Sequence, residues 1–82
     1  MNAPVGQRVR RVRRAQDLTQ RDLAQRSGLN VITISRLEMG TAKAVYADTV
    51  AVLAKALGIS ANYLLGLTDK EEKLTSFIED TA

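Results

Sequence analysis

Eighty-two residues make one small domain with at most a short arm, and 45% hydrophobic with 26% charged residues is the balance of a folded, soluble chain. With no cysteine and no histidine, the sequence has no disulfide framework, no Cys/His zinc site, and no thiolate or imidazole for catalysis near neutral pH. An enzyme, a bound metal and a cofactor are therefore not expected. The net charge of +3 is unevenly placed: residues 1–44 carry eight arginines and Lys43 against Asp17, Asp22 and Glu38, a net +6, whereas residues 45–82 are net −3. That division suits one face that binds a polyanion and another that avoids it, although a solvated basic face would have the same composition. No export signal and no apolar run of membrane-spanning length is present, so a cytoplasmic location is expected.

Apolar periodicity is helical nearly throughout, which predicts an all-α domain. Val5, Val9 and Val12 form one stripe on a first helix over about 5–16, whose other faces carry arginines. Thr19-Gln20-Arg21-Asp22 is a capping signature that starts a second helix, which Ser27-Gly28 ends. Asn30 is an N-cap only two residues after that glycine, so a third helix restarts at once and closes at Gly40. On it Ile34 and Leu37 point inward with Glu38 beside them, while Ile32, Ser35 and Arg36 point outward. Residues 41–47 read as a loop, Asp48-Thr49 as the start of a fourth helix with Val50, Leu53, Ala54 and Leu57 inward, and Gly58 as its stop. Ser60 caps a short fifth helix, Ala61 to Leu65, ended by Gly66. Beyond it, Thr68-Asp69-Lys70-Glu71 with Leu74, Phe77 and Ile78 is a candidate sixth helix that needs a surface to lie on.

Two helices joined by a short glycine-containing turn, the second with a polar outward face, form a helix-turn-helix pattern, and it sits in the basic half. In that geometry the second helix enters the DNA major groove while the N-terminal amides of the first face phosphate. Gln20 is placed to add a side-chain amide to that phosphate contact, or else is simply a solvated residue of the first turn. An exposed Ile32 suits a thymine methyl group and Arg36 the O6 and N7 acceptors of guanine; a scattered surface apolar residue and a phosphate contact are the plainer readings. Val31 is compatible with either DNA contact or partial burial. Tyr46 is expected to pack on the core in preference to touching DNA.

The segments Gly6–Arg13, Leu18–Ala24, Ile34–Gly40, Leu53–Ser60 and Tyr63–Gly66, in this order and spacing, resemble the Cro/C1-type (XRE) helix-turn-helix family. The resemblance covers about residues 5–66 and implies a compact five-helix, lambda-repressor-like domain over 1–66. The acidic, amphipathic remainder, 67–82, would be a short helical segment for dimerisation or partner binding. It further implies that Gln20 binds phosphate, that Asn30, Val31, Ile32, Ser35 and Arg36 face DNA, and that Thr41 and Lys43 touch the backbone. Arg13 would pair with Glu38, which is plausible on the residues alone because an unpaired carboxylate near the inward edge of a helix is costly. Two departures stand out: Val31 and Ile32 replace the polar residues frequent at the first recognition positions, and 41–47 lacks the frequent proline.

These readings point to a transcriptional regulator, a repressor or autoregulator, binding double-stranded DNA at a palindromic operator as a homodimer through 30–39. The alternative is an antitoxin-like or adaptor protein whose C-terminal segment binds another protein, with DNA binding secondary.

Overall fold

Residues 3–70 are described by the structure, a computed structural model. The valine stripe lies on α1 (Ala3–Ala15), which starts two residues before its expected first turn and takes in Pro4, a residue the first turn tolerates because the N–H groups there have no partner within the helix. Asp17, in the left-handed region at φ 57°, turns the chain out of α1. Gln16 Nε2 donates to the Leu57 carbonyl at 2.8 Å, closing the end of a distant helix.

The predicted capping box is formed at α2 (Gln20–Ser27): Asp22 N–H donates to Thr19 Oγ1 at 3.0 Å and Thr19 N–H donates to Asp22 Oδ2 at 2.9 Å. These bonds hold the Asp22 carboxyl below the usual carboxylate range, the backbone hydrogen bond being the largest cause. A carboxyl with a lowered folded-state pKa contributes stability above its unfolded value and loses it as pH falls through the folded value. Amide exchange in the first turn of α2 should therefore quicken, relative to the turn capped by Ser60, when pH drops below the ordinary carboxylate range. An unchanged ratio measured by NMR would remove Asp22 from the cap.

Gly28 takes a left-handed conformation, φ 78°, and its N–H donates to the Ala24 carbonyl. Two residues later Asn30 Oδ1 accepts from Ile32 N–H at 2.8 Å and starts α3 (Val31–Met39). The fourth helix, α4 (Ala47–Leu57), begins earlier than expected. Tyr46, not Asp48, is its N-cap, without a side-chain hydrogen bond, and Asp48 lies inside the first turn, where its charge complements the helix dipole. α5 (Ala61–Leu64) is capped by Ser60 and stops one residue short of expectation, at Leu65.

α1 packs on α3, α4 and α5, α2 packs on α3 and α4, and α4 on α5. Each helix sends at least one fully enclosed side chain to the core: Val9, Leu23, Ile34, Leu53 and Leu64 are all 0% exposed. Burying each contributes on the order of 1.5–3 kcal/mol. Where α1 crosses α3 the backbones nearly touch: a Cβ built on buried Gly6 would stand 1.9 Å from the Leu37 carbonyl oxygen. Among the described residues the architecture is all-α, with five helices. The candidate sixth helix lies outside the described residues except for Thr68–Lys70, which are not helical, Asp69 and Lys70 forming bends.

Candidate nucleic-acid interface

Three short backbone devices fix how α3 is presented. The left-handed Gly28, the Leu29 N–H donating to Ser27 Oγ at 3.2 Å, and the Asn30 cap together turn the chain from α2 into α3 within three residues. Asn30 therefore uses its side-chain oxygen on the Ile32 amide, leaving its amide N–H groups as the part that can face outward. Ile34, Leu37 and Glu38 are buried, and the opposite side of α3 is open: Ile32 is 56% and Met39 70% exposed, and Arg36 is exposed. Val31 and Ser35 are half-buried, with Ser35 Oγ 3.7 Å from Met39 Sδ. The Arg36 guanidinium has no ion-pair or hydrogen-bond partner among the described residues.

Beside this face, the segment after Gly40 folds into a shallow concavity of about 620 Å³ lined by Thr33, Arg36, Thr41, Lys43 and Tyr46. Thr41 closes α3, its N–H donating to the Arg36 carbonyl at 2.9 Å and its Oγ1 lying 3.4 Å from the same oxygen. Lys43 is exposed and unpaired among the described residues. Tyr46 does not pack on the core as expected from the sequence; it is 66% exposed. The reason is the extended backbone leading into α4: Val45 takes the inward direction, packed against the core, so its neighbour points out. Sequence reasoning thus missed two residues of this face, Met39 and Tyr46. The apolar-beside-polar pattern of 38–39 signalled the first, and nothing local signalled the second.

Behind the face lies a charged bracket. Arg13 Nε donates to Glu38 Oε2 at 2.7 Å, Nη2 to Glu38 Oε1 at 2.9 Å, and Nη1 to the Leu18 carbonyl at 2.7 Å. The Glu38 side chain is 2% exposed. Hydrogen bonding to Glu38 raises the Arg13 pKa against the opposing effect of burial. Gln20 joins this pair, Nε2 donating to Glu38 Oε1 at 3.1 Å, so the first turn of α2 is tied to the last turn of α3. One Gln20 N–H and its carbonyl oxygen remain for an outside partner. A second arginine is also engaged internally. Arg8 lies over the Tyr63 ring, 4.6 Å from its centroid, donates to the Tyr63 and Thr68 carbonyls at 2.9 and 2.8 Å, and pairs with exposed Asp69.

Five described helices around one core, with a helix-turn-helix whose second helix and following loop present cations unpaired among the described residues, form the architecture of a DNA-binding regulatory domain. The chain belongs to the Cro/C1-type (XRE) helix-turn-helix family, whose helix-turn-helix model matches residues 9–64. It is a DNA-binding transcriptional regulator of the XRE type. No curated protein matches the chain. No described helix is long and apolar enough to cross a membrane.

Proposed function

We propose that this regulator is a repressor or autoregulator that binds a palindromic operator as a homodimer, with 30–39 in the major groove of each half-site. The observation that carries this reading is that Arg36 and Lys43, two exposed cations unpaired among the described residues, line one concavity at the open face of α3. Arg36 reads a base edge, and Ile32, Val31, Ser35 and Asn30 fill the groove beside it. Gln20, Thr41, Lys43 and the Tyr46 hydroxyl hold the sugar-phosphate backbone. One module offers limited specific area, and a two-fold pair with half-sites about 10 bp apart doubles it. The protein acts in the cytoplasm, on the nucleoid.

Selection of bound duplexes from random DNA, followed by salt titration, tests this. A two-fold symmetric sequence and a linear fall of log K with log salt are expected; no salt slope would rule the interface out. On the selected duplex Arg36→Ala should weaken binding by about 1–3 kcal/mol and relax preference at one base pair per half-site. Lys43→Ala should weaken selected and random duplexes alike. If Arg36→Ala also weakens both equally, Arg36 is a backbone contact.

The unit boundaries, 1–66 for DNA binding and 67–82 for association, belong to the same proposal. Leu65 at 45% and Leu67 at 73% exposure give that end an apolar surface, which suits either a second copy or a separate protein partner. Leu67→Ser should shift the purified protein from dimer to monomer in sedimentation equilibrium. A wild-type chain that is already monomeric would favour the partner-binding, antitoxin-like reading.

A further inference from the structure

The open stripe of α3 carries an order of chemistry that the fold does not require. The helix turns about 100° per residue, which sets Ile32, Ser35, Arg36 and Met39 on one side, opposite buried Ile34, Leu37 and Glu38. Along the axis this stripe runs apolar, polar, cationic, apolar over about 10 Å, roughly three base-pair rises. The N-terminal part of a recognition helix lies closest to base edges, where Ile32 stands, and Arg36, in the last turn, is the member of the stripe long enough to reach back toward the same edges. They are four residues apart, with Cβ atoms about 5–6 Å from one another. Long helical side chains lean toward the N-terminus, which brings the Arg36 guanidinium toward Ile32.

We infer that Ile32 and Arg36 form one recognition unit for a pyrimidine carrying a C5 methyl group beside a guanine, and that the methyl group itself is what Ile32 reads. The inference rests on the DNA-facing role of α3 proposed above. In the major groove thymine shows a methyl group next to its O4 acceptor, and 5-methylcytosine shows the same methyl group next to an N4 donor. Isoleucine has no polar atom with which to tell O4 from N4. The unit accepts TG and 5-methyl-CG steps and disfavours UG and unmethylated CG steps, so binding responds to cytosine-5 methylation wherever a CG step occupies this position. Arg36 supplies the second half by donating to guanine N7 and O6, which its lack of a partner among the described residues leaves it free to do.

The test uses the full chain and the duplex recovered from random DNA, with each thymine replaced in turn by deoxyuridine, a change of one methyl group. A single thymine per half-site, adjacent to guanine, should weaken wild-type binding about fourfold, the factor for burying one methyl group, and about fifteenfold when both half-sites are changed. Duplexes with cytosine and 5-methylcytosine at that position should differ by the same factor. Ile32→Ala, folded because its side chain lies outside the core, should bind with neither response while keeping the salt slope. Equal affinity of wild type for thymine and uracil at every position, equal affinity for cytosine and 5-methylcytosine at the chosen position, or an Ile32→Ala protein that keeps the methyl response would each overturn the inference and leave the interface standing. Salt-independent binding, or no preferred sequence, would overturn both.

Discussion

Gly6→Ala should lower the stability of this domain by more than about 3 kcal/mol and its melting temperature by roughly 15 °C or more, converted at about 4–8 °C per kcal/mol for a domain of this size. The added Cβ would stand 1.9 Å from the Leu37 carbonyl oxygen, 2.8 Å from its carbon and 3.2 Å from Glu38 Cα. All three are backbone atoms, so no side chain can swing aside, and α1 must lift from α3. Overpacking typically costs about 1–3 kcal/mol where side chains can adjust, and a rigid contact should exceed that. A chain of this length has only about 4–12 kcal/mol in total. The control is Gly28→Ala, whose Cβ meets nothing within 4 Å and whose cost is only the left-handed backbone, about 1 kcal/mol. Melting curves by circular dichroism that place Gly6→Ala within a few degrees of wild type would show that the crossing is looser than described.

The second large effect belongs to Arg13→Ala. Removing the guanidinium leaves the Glu38 carboxylate 2% exposed with only the Gln20 amide as partner, and leaves the Leu18 carbonyl without its donor. Stranding one member of a buried pair costs about 3–5 kcal/mol, although the pair itself is worth far less because both charges were desolvated to form it. Arg13→Lys should recover only part of the loss, since a lysine cannot supply the fork that meets both carboxylate oxygens. Arg13→Met combined with Glu38→Leu should recover most of it. Denaturant titrations in which Arg13→Ala behaves like an exposed arginine substitution would remove the pair from the stability argument.

The local grammar of the chain was legible in its residues. Thr19, Asn30 and Ser60 cap helices as their side chains suggest, and Gly28, Gly40 and Gly58 end them, because caps and left-handed turns are decided within four or five residues. The inward faces of α1 and α4 followed from spacing for the same reason. What escaped depended on distant partners. Tyr46 has an aromatic ring that composition places inside, yet the direction of the extended loop turns it out. Gly6 looks like a weak point in a helix and is instead a backbone crossing. The +6 of the basic half overstated the charge offered to a polyanion, since Arg8 and Arg13 are turned inward or along the surface to partners about 25 to 61 residues away. Gln20 was legible as an outward amide but not as the link to Glu38, because only packing of α2 on α3 brings the two within reach.

The clasp formed by Arg8 bears on how the chain folds. A helix of four residues has too few internal hydrogen bonds to persist alone, and the Tyr63 carbonyl, which accepts locally from Gly66 N–H, gains its second donor, Arg8 from 55 positions away, only after the chain has closed. α5 thus depends on contacts with α4 and with α1, the latter far from it in sequence. A fragment lacking the Arg8 side of the clasp should therefore lose α5, even though every residue of that helix is still present in it.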